Sequence, residues 1–112
     1  MKYLEKENSL KFENGAVTAF EYPIGDPDIN CALVEIKGRH PEKDWLINEK
    51  CKEMVFITKG SVVLTTEIDK VSLKVGDIAI INPQEKYFFD GDCTLLTPCT
   101  PAWTPEQNKT VK

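Results

Sequence analysis

The stretch Asn48-Glu-Lys-Cys-Lys-Glu-Met-Val-Phe-Ile-Thr-Lys-Gly60 decides how this chain is read. Within it Glu53, Val55 and Ile57 alternate with Met54 and Phe56, the two-residue period of a β-strand. Apart from the leading carboxylate both sets are apolar, so the strand is expected to be buried on both sides. A barrel packs only one of those faces inward, and the other then requires a second sheet or a second subunit. The beginning of the stretch stays open. Ile47, Cys51, Met54 and Val55 fall at helical spacing and Asp44 is a residue able to cap a helix, whereas Val55–Thr58 is β-rich and runs into a glycine turn.

Working outward, the rest of the chain repeats the pattern of short β-branched and aromatic runs broken by turn residues about every ten positions. The expected strands are Ala16–Tyr22, Cys31–Lys37, Met54–Thr58, Val62–Ile68, Ile78–Ile81, Tyr87–Phe89 and Cys93–Thr97. Between them lie Asn14-Gly15, the Pro23–Asp28 loop, Lys59-Gly60, Asp69-Lys70, Gly76-Asp77 and Asp90-Gly91. Asn-Gly is the strongest of these, because both residues accept the positive φ of a tight hairpin. The fold class is all-β, a sandwich or barrel.

With 112 residues the chain is expected to form one domain, residues 1–112, around one core. Its 41% hydrophobic and 29% charged residues are ordinary for a soluble protein. The net charge is −4 and no long run of one sign occurs, which argues against a nucleic-acid partner. The opening MKYLEKENSL has no apolar core and no later stretch reaches membrane-spanning length, so the expected location is cytoplasmic, with no membrane partner. Four scattered cysteines without a CxxC pair read as free thiols that fill apolar space.

Three elements, taken in order, resemble the cupin superfamily. Glu53-x6-Gly60 is similar to the end of the first cupin motif, where a glutamate leads an apolar strand into a glycine. Gly76-Asp77-Ile-Ala-Ile-Ile-Asn-Pro83 is similar to the opening and close of the second. One hairpin, Ser61–Val75, separates them, as in compact members. Gly38-Arg-His-Pro41 and Pro101-Ala-Trp-Thr-Pro-Glu106 resemble flanks of small single-domain bacterial cupins, so the likeness covers about residues 38–106. The resemblance implies a double-stranded β-helix, or jelly-roll barrel, with a pocket inside.

The family's metal-binding form also carries histidines, and the positions that match them here are Ile47 and Glu49, or Leu46 and Asn48, with Tyr87 or Phe88 in the second motif. The histidine set is degenerate. Only Glu53 remains, and the single histidine, His40, lies in the Gly38–Pro41 segment. Imidazoles suit transition metals, while Glu53 with an amide and a phenol makes a sparse oxygen site better matched to hard ions that want more ligands. Cys51 beside Glu53 on one strand face is the softer alternative. Neither a metal nor another cofactor is expected. The candidate ligand-binding residues are Asn48, Glu53, Tyr87, Trp45 and His40.

Several readings follow. The chain is a metal-free barrel that binds a small molecule, or an accessory module without catalysis. It is a metal-independent isomerase or epimerase acting on a sugar-like substrate, with Glu53, Tyr87 or His40 transferring protons. It is a metalloenzyme with unusual ligands among Glu53, Asn48, Cys51 and Tyr87, or a dimer with no ligand. A homodimer is expected, built on Met54, Phe56 and the Trp103 segment. The placement of His40 relative to Glu53 and Tyr87 separates the enzyme from the binding module.

Overall fold

The Asn14-Gly15 turn joins the first two of ten strands, β1 (Leu10–Asn14) and β2 (Val17–Glu21), in a computed structural model that describes all 112 residues. There follow β3 (Ala32–His40), β4 (Trp45–Asn48), β5 (Lys52–Thr66), β6 (Lys70–Lys74) and β7 (Ile78–Ile81). The chain closes with β8 (Tyr87–Leu96), β9 (Cys99–Thr100) and β10 (Asn108–Val111). The only helical pieces are 3-10 turns at Lys6–Asn8 and Pro105–Gln107. One continuous antiparallel sheet curls on itself: β1-β2-β3-β8-β4-β10 forms one path, and β5 pairs with β6, β7, β8 and β9. This is an all-β jelly-roll barrel.

The two longest strands carry the closure. Lys59-Gly60 and Asp90-Gly91 are not turns, as the sequence suggested; β5 and β8 each run straight through them. The glycines are needed because the paired strands approach too closely for a side chain. A Cβ on Gly60 would run into the backbone carbonyl of Asp92, and one on Gly91 would come within 2.6 Å of the Ser61 carbonyl oxygen. The register of β5 against β8 also slips between Ile57 and Lys59, a bulge at which the Thr58 hydroxyl donates to the Thr94 carbonyl. The slip changes which residues face inward: Glu53, Val55 and Ile57 are buried before it, Val62 and Leu64 after it.

The core lies on that inner face, where Ile36, Val55, Ile57, Val62, Ile81 and Leu95 are almost completely buried. On the outer face no second sheet covers the strand. Met54 pairs with Ile80 and Phe56 with Ile78, and of these Phe56 is 39%, Ile78 56% and Ile80 52% exposed. The ambiguous segment before Cys51 is strand, not helix: β4 ends at Asn48, and Asp44 sits in a bend with φ 66° instead of capping a helix. β1, β6, β9 and β10 were not among the expected strands, being short and polar.

Candidate functional site

A cavity of about 410 Å³ opens into the barrel, and His40, Glu53 and Tyr87 all line it. Each arrives by a different route. Glu53 opens the inward-facing set of β5, and Tyr87 opens that of β8. His40 ends β3, which runs through Gly38 instead of stopping at Lys37, so the inward alternation Val34, Ile36, Gly38 extends to His40. The histidine is therefore not in a surface loop. Arg39, pointing the other way, holds the following turn: its guanidinium donates to the carbonyls of Pro41 (2.6 Å) and Asp44 (2.9 Å) and lies 4.0 Å from the Phe88 ring centre. Trp45 packs on Phe88, with ring centres 5.3 Å apart, and does not line the cavity.

Asn48 is fully buried behind Glu53 and completes a polar network. Its amide nitrogen donates to Glu53 Oε1 (2.8 Å), and the Tyr87 hydroxyl donates to the same oxygen (3.3 Å). Its amide oxygen accepts from Gln107 Nε2 (3.0 Å) and Asn108 Nδ2 (2.9 Å), which fixes the orientation of the amide. Gln107 Oε1 in turn accepts from the Lys50 and Cys51 backbone amides. Both hydrogen bonds to Glu53 end on Oε1, yet no buried side-chain oxygen lacks a partner. Oε2 is therefore open to the cavity. When Glu53 is protonated, the proton belongs on Oε2, because two donors already occupy Oε1.

The environment sets the charge states. Burial pushes the Glu53 carboxyl above the usual carboxylate range, against the opposing pull of the Asn48 and Tyr87 hydrogen bonds. Burial lowers the His40 pKa, and its ring makes no hydrogen bond within the protein, so it presents a neutral, unoccupied imidazole. Burial, and then the neighbouring Glu53, holds the Tyr87 phenol well above its ordinary value. The same two causes push up the Cys51 and Cys99 thiols, which are weak nucleophiles as a result.

Of the positions that match the family's metal ligands, Leu46, Asn48, Glu53 and Tyr87 are buried together, while Ile47 alternates to the other side of β4 and Glu49, just past its end, pairs with Lys109. These side chains do not fit a transition metal. Leu46 has no donor atom, and both ends of the Asn48 amide are already bonded. No group of three or more His, Cys, Asp or Glu side chains is arranged to hold an ion.

Sequence reasoning passed over several lining residues. Asn108 reaches the cavity from β10, and Glu21 from the end of β2. Trp103, expected in the dimer segment, lines the cavity as well and is clamped by Asn30, which accepts from its backbone amide (2.7 Å) and donates to its carbonyl (3.0 Å). Continuing the alternation of β3 past Gly38 is the one local signal that finds His40. Nothing local marks Gln107 or Asn108.

No family model and no curated protein matches this chain. Solved structures do, and they show the fold of a small single-domain cupin. The nucleoside dehydratase Pac13 from Streptomyces, known also as variants with uridine, superposes with a TM-score of 0.89 at 18% identity, covering 100% of this chain and 92% of that one. Ectoine synthase from P. lautus superposes at 0.77 with 13% identity, covering 100% and 91%. KdgF from Halomonas sp. superposes at 0.68 with 14% identity, covering 90% and 94%.

Proposed function

We propose that this chain is a metal-independent, small-molecule-binding barrel that moves protons on a sugar-like ligand, with His40 as base and Glu53 as acid. One observation carries the reading: a neutral imidazole and a carboxyl with a raised pKa line the same cavity, burial disfavouring the ionised form of each, so that the imidazole is available as a base and the carboxyl as a proton donor. The step suited to them is enolisation. His40 takes the proton from a carbon beside a carbonyl, the C–H electrons form the carbon–carbon double bond, and Glu53 delivers its Oε2 proton to the carbonyl oxygen. Isomerisation, epimerisation and loss of a neighbouring hydroxyl as water all proceed through such an enol. Asn48 and Tyr87 hold Glu53, and Tyr87 and Asn108 at the cavity wall offer hydrogen bonds to ligand hydroxyls. The neighbouring fold of a nucleoside dehydratase supports testing nucleosides among the ligands.

The test is deuterium incorporation from D2O into a panel of aldoses, ketoses and carbonyl-bearing nucleosides, followed by NMR. Exchange should occur for a member of the panel, vanish in His40→Gln and fall about 10²- to 10⁴-fold in Glu53→Gln. A panel member that binds without exchange, in a wild-type protein whose unfolding is cooperative, would make the barrel a binding module only.

We further infer a homodimer, acting in the cytoplasm. The exposed row formed by Phe56, Ile78 and Ile80 on the outer face of β5 and β7 supports the dimer, because a contiguous apolar patch of this kind marks an interface.

A further inference from the structure

The charge of the cavity wall is one-sided. Two carboxyls line it, Glu21 half-buried at the end of β2 and Glu53 deeper, at 7% exposure, with Oε2 turned into the space. None of the lining residues is a lysine or an arginine. Arg39 precedes His40 but faces outward, committed to Phe88 and to the Pro41 and Asp44 carbonyls. The fold also lacks the other common anion receptor, a helix N-terminus, because its only helical pieces are three-residue 3-10 turns.

We propose that this cavity selects uncharged ligands and rejects phosphorylated or carboxylated ones, with Glu21 and Glu53 as the specificity-determining residues. This deepens the sugar-like reading above and rests on it for the identity of the ligand, though not for the charge rule. A phosphate or carboxylate entering the barrel gives up its hydration, and that cost is recovered only where a cation or a set of oriented donors replaces the water. Here it would meet carboxyl oxygens instead. An ionised Glu21 or Glu53 repels it, more strongly than in water because the cavity is partly shielded. A protonated Glu53 offers a single hydrogen, too little for a dianion. A neutral polyol or nucleoside incurs neither cost, since its hydroxyls pair with Glu53 Oε2, Tyr87 and Asn108, and its apolar face lies against Phe12, Trp103 and Leu46.

The chain contains one histidine, and it lines this cavity, so the His40 ring resonances report occupancy without a label. The experiment titrates uridine, uridine 5′-monophosphate, glucose, glucose 6-phosphate and inorganic phosphate against the wild-type protein at constant pH and ionic strength. The expected result is a saturable His40 shift with a neutral member, at least tenfold weaker binding of its phosphate, and no saturable shift with inorganic phosphate. Glu21→Lys should acquire a saturable response to inorganic phosphate, and Glu21→Gln, which keeps the side-chain size, should narrow the gap between uridine and its monophosphate. A phosphate that binds the wild type as tightly as its neutral partner overturns the proposal. So does a folded Glu21→Lys that remains as silent to inorganic phosphate as the wild type. If the neutral members are silent while Glu21→Lys responds, the charge rule holds and the sugar-like reading fails.

Discussion

Glu53 faces two demands: it is buried like a core residue, and it keeps one oxygen free. Its folded pKa is raised above the unfolded one, so the folded state holds the proton more tightly. The resulting stabilisation is fully present below the unfolded value, near about 4.3, and is lost as pH rises through the folded value. Glu53→Gln retains an oxygen to accept from Asn48 and Tyr87 and removes the charge. Urea unfolding at pH 8 should find this variant as stable as the wild type or more stable, by up to about 1–2 kcal/mol, and the advantage should disappear at pH 4. Chelator should change neither result. A loss of stability at pH 8 that chelator abolishes would mean that a metal holds this carboxylate after all. His40 shows the opposite sign: its lowered folded pKa contributes stability that is present above about pH 6.5 and is lost as pH falls through the folded value.

At the scale of elements, the barrel depends on β5 and β8 crossing at close range. Adding one methyl at Gly91 places it against the Ser61 carbonyl and the Val62 backbone, neither of which can swing aside. At Gly60 the same methyl meets the Asp92 backbone, and the residue also sits at φ 71°, where a side chain is strained. Gly60→Ala and Gly91→Ala should each destabilise the fold by about 3 kcal/mol or more, whereas Gly76→Ala, with open space around its Cβ, should cost less. Chemical denaturation of the three variants ranks them. Equal small losses would mean that the strands do not approach as closely as the register implies. The sequence hid this arrangement, because a glycine after Lys59 or Asp90 has the appearance of a turn. A turn glycine and a glycine at a strand crossing are identical in composition and differ only in what lies across from them.

At the scale of the whole molecule, the unpaired feature is the outer apolar row. Size exclusion with light scattering should give a dimer mass at micromolar concentration, and Phe56→Glu or Ile80→Glu should shift it to the monomer while leaving the far-UV spectrum unchanged. A monomeric wild type would leave the row without a partner copy.

The sequence alone determined what depends on neighbours along the strand. Alternation around Glu53 separated the two faces of β5, the ordered Glu53-x6-Gly60 and Gly76–Pro83 elements pointed to a cupin barrel, and Glu53 and Tyr87 followed from their places in those elements. Tertiary structure decided everything that depends on neighbours across the barrel. It placed His40 on the same cavity as Glu53 by carrying β3 through Gly38, turned Trp45 outward, and brought Gln107 and Asn108 more than fifty residues back along the chain to orient Asn48. It also set two carboxyls, with no cation, around one cavity. The physical reason is that a strand's period fixes the direction of a side chain from local geometry alone, whereas its companions are fixed by strand pairing and closure, and those contacts join residues far apart in the chain.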